Sequence, residues 1–421
     1  MNLSVQSSGG QSPASKGSVA RSLLKIPFSV IVIFAVALGF LLGYLLPENT
    51  VLMMIAVSGT YFPKTIVTFA TVIIFFLLAG ATAKLITVHK EKAGVFFSTT
   101  FIVYVVLGLI SLIWVMGFIA MFIKIPMFTG AGQEYTASLL LGSIGNSFKT
   151  IGMQPLLHVL FAALLVGWVT TRVKALSPIS EGIMKASEKI LGFFKWIMWY
   201  YPIMIGCLSI YVPMKFGAKG IVHYAQTFLW EVIVTTAWCL VLILATKLMT
   251  KRTWKQILSY FWTIYPIGFG TGGSYDTLAA NIVSAEKELG LSKEVAEVSI
   301  VFGTVLNKNG ATMAVMLCTV SVCSMLNIPL SLFDMMMLVL PIWILGLESP
   351  GVAGGAGFFM SPIIANILHV PDPALFVTSF LAMYSGVTPM IAVATNTTND
   401  GLIGAWLEDR YAKSLLANLQ S

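Results

Sequence analysis

The sequence predicts an all-α polytopic membrane protein, and three observations support this. Of its 421 residues, 57% are hydrophobic and only 10% are charged, with a mean hydropathy of +0.89. A soluble domain usually carries about 25% charged residues. The apolar residues form long runs, and the basic residues lie between those runs. This pattern excludes a soluble globular protein, a disordered chain and a nucleic-acid partner, because no single basic patch could bind phosphates.

Each apolar run of roughly 20 residues predicts one helix across the bilayer. Such runs precede residue 250 at 26–46, 65–83, 94–123, 156–171, 196–214 and 232–246. A further apolar stretch, 137–148, precedes the fourth run. Glu231 borders the sixth run, and we expect it to face protein or water rather than lipid.

The basic residues between the runs predict the orientation, because an excess of Lys and Arg marks the cytoplasmic side. The excess falls on alternate loops and on the C-terminal tail, at Arg21, Lys25, Lys84, Lys90, Lys92, Arg172, Lys174, Lys247, Lys251, Arg252, Lys255, Arg410 and Lys413. Both termini are therefore predicted to be cytoplasmic. No organelle-targeting segment is evident, so we expect a multi-pass protein of a prokaryotic inner membrane.

Two segments in the second half predict re-entrant helical hairpins. Segment 257–275 is broken by Pro266 and four glycines, and segment 335–347 is too short to cross a bilayer of roughly 30 Å before the Gly- and Pro-rich stretch that follows Glu348. Irregular backbone at membrane depth is tolerated only beside protein or a water-filled cavity. A pair of interrupted segments is typical of a transporter binding site. The alternative for either segment is an ordinary kinked helix pair.

Polar residues also interrupt two other apolar segments. Between the hairpins lie Asn307 and Lys308, and a lysine at membrane depth costs roughly 3 kcal/mol, so it needs a partner or a cavity. In the last apolar segment, Asn396 and Asp400 are four residues apart and share one helix face. An amide oxygen and a carboxylate suit Na⁺, and the carboxylate can also carry H⁺. The alternative is a structural cluster of interhelical hydrogen bonds.

Short motifs follow one another in a characteristic order after residue 20. They are Tyr201-Pro202-Ile203, Thr277-Leu278, Glu288-Leu289-Gly290, Gly303 with Asn307-x-Asn309-Gly310, Gly351-Val352-Ala353-Gly354, and Asn396-x-Thr398-x-Asp400. This order resembles the dicarboxylate/amino acid:cation symporter family, the sodium:dicarboxylate symporters with a glutamate-transporter-like fold. The resemblance implies eight transmembrane helices plus two re-entrant hairpins, a homotrimer, and a transport domain that moves like an elevator.

The resemblance also implies a domain division and an activity. Residues 1–20 are polar and rich in Ser and Gly, which predicts a disordered cytoplasmic tail. Residues 411–421 are expected to be a second cytoplasmic tail, and the resemblance implies that 251–410 form the transport core. Residues 21–250 form mainly scaffold and trimerisation helices, with helices three and six in the transport domain. The activity is secondary active symport of a small organic solute, an amino acid or a carboxylate, with Na⁺ or H⁺ and no other cofactor. The alternatives are a cation-independent exchanger or an anion-conducting channel; an enzyme is not supported, since the histidines lack metal-site spacing.

Binding residues follow from the same resemblance. The family's sodium site corresponds to backbone carbonyls of Gly303, Asn307 and Asn396 and to the Asp400 carboxylate. Its substrate site corresponds to Ser274, Tyr275, Asp276, Val352, Ala353, Gly354, Ala392 and Asn396.

One family cation site is predicted to be absent. Asn309 stands where the family has a second sodium-binding carboxylate. The family's other side-chain ligands for that site correspond to Val105, Gly108 and Leu109, none of which offers a side-chain oxygen. Ligand side chains for this site are missing on two separate helices, which chance drift at one position would not explain. We therefore expect the cation site to be absent.

The substrate contacts and a third family cation site also depart from the pattern. Ala392 and Pro389 stand where carriers of acidic amino acids have Arg and Asp, so we expect a neutral or zwitterionic solute to fit better than a dianion. Lys308 lies near the backbone carbonyls of a third family site, and Glu348 lies at the second hairpin tip. We hypothesise that the Lys308 ammonium acts as a built-in cation, paired with Glu348 when the hairpin closes. The alternatives are a gating salt bridge without a coupling role, or a different acid such as Asp276 as the partner.

Overall fold

The computed structural model describes residues 28–59, 94–123, 155–197, 201–348 and 355–409, with a few single residues between 72 and 83. Regular structure in these ranges is helical throughout, in agreement with the all-α prediction. The α-helices are α1 (Phe28–Leu45), α2 (Thr50–Ser58), α3 (Gly94–Phe122), α4 (Pro155–Arg172), α5 (Ser177–Ile197), α6 (Tyr201–Met249), α7 (Trp254–Thr271), α8 (Ser274–Ser284), α9 (Lys293–Leu306), α10 (Asn309–Met325), α11 (Leu332–Glu348), α12 (Gly355–Ile367), α13 (Pro373–Tyr384) and α14 (Thr388–Leu407).

Two helices in the described part of the chain are long and apolar enough to cross a membrane, within α3 at Ser98–Phe122 and within α6 at Pro202–Met249. A third span results if α13 and α14, which meet at 62°, are counted together. The runs at 65–83 and 137–148 lie largely or wholly outside the described residues. The total of eight crossings therefore stays a prediction.

The fifth and sixth predicted runs form two helices that meet directly at a break within the range given for α6. At Gly217 the backbone has φ 59° and ψ −151°, inside α6. A glycine adopts this positive φ at little cost, whereas other residues rarely do. Pro213 lies one turn earlier and removes a backbone donor there, which also favours a bend.

The first interrupted segment forms a helical hairpin, as predicted. Helix α7 ends at Gly272, which has φ 62° and donates its N–H to the Gly268 carbonyl at 3.0 Å. After Gly273 the chain starts α8, and the two arms lie side by side: the Tyr260 hydroxyl donates to Asn281 Oδ1 at 2.5 Å. The kinked-helix alternative is therefore wrong for the backbone of this segment, while its depth in the bilayer stays a prediction.

The second hairpin is described by its two arms. Helices α11 and α12 pack against each other and against α10. The connection, residues 349–354, lies outside the described residues, and so does the Glu348 side chain.

Two helices are interrupted beside the hairpins. Between α9 and α10, Asn307 is extended (φ −80°, ψ 101°) and Lys308 is also outside helical geometry, so the helix breaks at the polar residues that interrupt this apolar segment. Between α13 and α14, Gly386 has φ 89°, and this second break was not predicted.

The centre of the fold is helix α14. Every residue from Thr388 to Ala405 is buried, and the helix packs against α6, α7, α8, α9 and α10. Helix α10 is similarly enclosed, with every residue from Asn309 to Val320 buried. Polar residues on these two helices are therefore surrounded by protein on all sides, and they meet where α9 breaks into α10.

An arginine cluster ties the end of α14 to the base of the first hairpin. Arg252, between α6 and α7, is buried and pairs with Glu408 and Asp409 just after α14. Its Nε also donates to the Leu289 carbonyl at 3.2 Å. Removing the arginine would take away the ion pairs of two partly buried carboxylates, which also accept hydrogen bonds from the Lys251 and Ser292 backbone N–H groups.

Candidate functional site

Asp400 on α14 lies against the break between α9 and α10. The Asn307 side-chain amide donates to Asp400 Oδ1 at 2.7 Å and to the Asn396 carbonyl at 2.8 Å. Asp400 has 0% exposure. The extended backbone at Asn307 allows its side chain to reach across to two successive turns of α14, so the break is what forms this contact.

Asn396 connects the same two elements in the opposite direction. Its side-chain oxygen accepts a hydrogen bond from the Gly310 backbone N–H at 2.7 Å. The first N–H groups of a helix lack partners within the helix. Asn396 satisfies one of these at the start of α10, so its position depends on the break as well.

Gly303 on α9 completes the group. A Cβ atom at this position would overlap the Asp400 carboxylate and lie 2.6 Å from the Tyr104 hydroxyl. Only a glycine lets α9 approach Asp400 this closely. The structure therefore brings together the four residues predicted as a cation site: Gly303, Asn307, Asn396 and Asp400.

Tyr104 on α3 was missed by the sequence analysis. It is 1% exposed, and its hydroxyl donates to the Ser299 carbonyl on α9 at 2.8 Å. This contact holds α3 against α9 beside Asp400. The sequence shows Tyr104 only as a hydroxyl-bearing residue within a long apolar run. Such a run does not indicate which neighbouring helix the side chain faces.

The site contains an acceptor that can take a cation. Asp400 Oδ2 is buried and has no hydrogen-bond partner among the described residues. Carboxylate and carbonyl oxygens suit a hard cation such as Na⁺, and the carboxylate can equally take a proton. No group of three or more His, Cys, Asp or Glu side chains suited to a metal ion occurs in the described residues. The donor set fits Na⁺ or H⁺ and is unlike that of a transition metal.

Lys308 is enclosed beside the same break. It is 6% exposed, and its Nζ donates to the Thr304 carbonyl on α9 at 2.9 Å. It also interacts electrostatically with Asp400, without a salt bridge between the two. Its predicted partner Glu348 has a side chain outside the described residues, so that pairing stays a hypothesis.

Asn309 faces α3, at the position of the predicted lost cation site. Its Oδ1 accepts a hydrogen bond from Ser111 at 3.4 Å, and a Cβ on Gly108 would lie 3.7 Å from the same atom. Gly108 thus faces Asn309 as the resemblance implied, whereas Ser111 was not singled out. The loss of this cation site stays a prediction.

The predicted substrate residues are described in part. Ser274 is 2% exposed at the start of α8, and Asp276 is exposed in the first turn of that helix. Ala392 is buried on α14, one turn before Asn396. Predicted residues that lie outside the described part are the Tyr275 side chain, Val352, Ala353 and Gly354.

Comparison with known proteins agrees with this arrangement. The profile of the sodium:dicarboxylate symporter family matches residues 28–409. Two relatives are both named C4-dicarboxylate transport protein 2, one from Pseudomonas paraeruginosa (strain DSM 24068 / PA7) and one from Pseudomonas aeruginosa (strain UCBPP-PA14). Each is 23% identical over 384 residues, which cover 87% of this chain and 86% of the relative. The family match covers all the helices from α1 to α14 and includes Asp400, and the protein therefore belongs to the sodium:dicarboxylate symporter family of membrane transporters.

Proposed function

We propose that the protein is a secondary active transporter that moves a small organic solute, an amino acid or a carboxylate, in symport with a cation across a bacterial-type inner membrane. The observation that carries the proposal is Asp400, a fully buried carboxylate with one unpartnered oxygen beside a broken helix. Family membership and the carboxylate named for both relatives support the transport class.

The coupling step follows from the cost of burying charge. An isolated ionised carboxylate is far less stable in a dry interior than in water. Binding Na⁺ or H⁺ at Asp400 removes that cost, so the enclosed state of the site is favoured when a cation is bound. Asn307 and Asn396 link this carboxylate to the start of α10. A cation bound there would therefore also organise the backbone next to the predicted solute site.

Lys308 is proposed to replace a second mobile cation. Its Nζ binds the Thr304 carbonyl near the C-terminal end of α9, where the helix dipole favours positive charge. The carbonyls near this point correspond to the third family cation site. A permanent ammonium group there would make the protein need fewer cations per solute than a carrier with all sites available.

The packing supports a mobile core of the elevator type. The arms of the first hairpin pack on α14, and the arms of the second pack on α10, while α1 packs on α6. Helices α10 and α14 thus join both hairpins into one unit around the Asp400 site. We propose that this unit is the transport core and that α1, with the other early helices, belongs to a scaffold in a homotrimer.

Two observations bear on the solute. The names of the relatives favour a C4-dicarboxylate. The small, uncharged side chains of Ala392 and Pro389 provide no bidentate clamp for a second carboxylate. A panel of succinate, fumarate, aspartate and serine separates these alternatives, because only the first three carry two carboxylates.

The test is uptake of each radiolabelled panel member into proteoliposomes, with an inward Na⁺ gradient, an inward proton gradient or neither. We expect saturable uptake of at least one member that needs a gradient and is lost in Asp400→Asn. Glu181→Gln, at an exposed acid on α5, is the matched control and should transport normally. Gradient-independent exchange, or a conductance that does not saturate, would support the exchanger or the channel instead.

A further inference from the structure

Glu231 on α6 is a second buried acid, separate from the Asp400 site. Its side chain is 0% exposed, and neither carboxyl oxygen has a hydrogen-bond partner among the described residues. In the same part of the chain, the carboxyl forms no ion pair with a Lys, Arg or His side chain. An ionised carboxylate buried in this way loses its hydration without gaining a charged partner, which favours the protonated acid.

The acid faces the joint between α13 and α14. Tyr224, two turns earlier on the same side of α6, donates its hydroxyl to the Ser385 carbonyl at 3.2 Å. A Cβ on Gly386 would lie 2.7 Å from that hydroxyl. The side chain of Thr388, the first residue of α14, lies next to the Glu231 carboxyl. Glu231 therefore lies where two helices bent by 62° meet.

The neighbours of this carboxyl provide no positive charge. The titratable groups that interact with it are Tyr224 on α6, Tyr265 on α7 and Cys318 on α10. Helix α14 contributes the Thr388 hydroxyl. Among the described residues of the other helices that pack on α6, no charged group takes part in these interactions. Phenols and thiols are uncharged near pH 7, so these neighbours supply no positive charge that would balance an ionised Glu231.

A band of unsatisfied polar atoms links this region to the first site. Further along α6, Trp238 Nε1 is buried without a partner in the described part of the chain. Cys239 Sγ lies 3.8 Å from Asn399 Oδ1, and Asn399 Nδ2 is also unsatisfied there. Asn399 directly precedes Asp400. Polar groups therefore lie along the contact between α6 and α14, from Glu231 to Asn399, the residue next to Asp400.

We propose that Glu231 is a second proton-binding site, which takes up a proton from one aqueous side and releases it to the other during the transport cycle. The carboxylate forms one O–H bond on uptake and breaks it on release, with no other reactant. The neutral acid suits the buried joint, whereas the ionised form needs water or a cation at the joint. Proton release is therefore coupled to a change between α13 and α14. This inference rests on the proposed transport function and adds H⁺ to the ions it uses.

The protonation state can be measured without transport, from the infrared carbonyl band of protonated carboxylic acids in purified protein across a pH series. We expect wild type and Glu181→Gln to share a component that disappears reversibly as the pH rises, and that Glu231→Gln lacks. Glu231→Asp retains a carboxylic acid and should retain a band, which separates loss of the acid from a folding defect. An identical band in Glu231→Gln and wild type at every pH, or a Glu231 component that never titrates, would overturn the proposal.

Proton movement is then followed with pyranine inside proteoliposomes when succinate, fumarate, aspartate and serine are added together outside. Wild type and Glu181→Gln should acidify the lumen, and Glu231→Gln should lose at least half of that signal. Full acidification by Glu231→Gln refutes Glu231 as a carrier of H⁺. If no panel member moves in any variant, the transport proposal fails, while the infrared result still decides whether Glu231 binds a proton.

Discussion

Gly303 offers a direct test of the Asp400 site. In Gly303→Ala, the new methyl group would overlap the Asp400 carboxylate and approach the Tyr104 hydroxyl. Extra atoms in a packed interior cost about 1–3 kcal/mol. If Asp400 moves away from the Asn307 amide to make room, the lost bond to a charged group costs about 1.5–3 kcal/mol. About 1.4 kcal/mol corresponds to a factor of ten, so cation affinity should fall by about tenfold to a hundredfold.

The assay is thermal unfolding in detergent across a NaCl series, with choline chloride holding the ionic strength constant. A cation that binds only the folded state raises stability by RT ln(1 + [L]/Kd). Gly303→Ala should unfold earlier and need a higher Na⁺ concentration for the same stabilisation. Gly117→Ala on α3 is the matched control, since a Cβ there meets nothing within 4 Å. If the two variants show equal stability and equal Na⁺ dependence, the close approach of α9 to Asp400 is refuted.

Three further perturbations test other parts of the structure. Lys308→Met removes the ammonium bound to the Thr304 carbonyl and should make liposome uptake more dependent on added Na⁺; an unchanged dependence contradicts the built-in cation. Arg252→Met removes the ion pairs to Glu408 and Asp409, which keep hydrogen bonds from backbone N–H groups, and should lower the free energy of unfolding by about 3 kcal/mol in denaturant titrations. A loss below about 1 kcal/mol would show that the Arg252 ion pairs contribute no more to stability than ordinary surface salt bridges do. Gly386→Ala forces a β-carbon onto a φ of 89° and should cost about 1 kcal/mol or more, measured by thermal unfolding; wild-type stability would contradict the bend.

Local sequence features predicted several parts of this structure correctly. The pair Gly272-Gly273 marked the turn of the first hairpin, and the polar pair Asn307-Lys308 marked the break between α9 and α10. The four-residue spacing of Asn396 and Asp400 predicted one shared face of α14, and in the structure both residues of that face contact Asn307. These features depend on backbone preference and helix periodicity, which neighbouring residues determine.

Contacts between residues that are far apart in the sequence were harder to predict from the sequence alone. Helix α3 is apolar on all sides, so its pattern did not show that Tyr104 and Ser111 turn towards α9 and α10. The connection expected between the fifth and sixth runs is reduced to a break at Gly217, where two helices meet. A glycine in a loop and a glycine in a kink have the same sequence signature, and only the packing of the flanking helices distinguishes them.

The amino-acid sequence by itself determined that this chain enters a membrane, where its helices are interrupted, and which family its motifs resemble, because hydrophobicity and spacing are read along the chain. Only the tertiary structure decided that Asn307 spans from α9 to α14, and that the buried Glu231 carboxyl lies beside Thr388 at the α13–α14 joint. Those contacts join residues about a hundred or more positions apart in the sequence. They form because each buried helix packs one particular face against its neighbours.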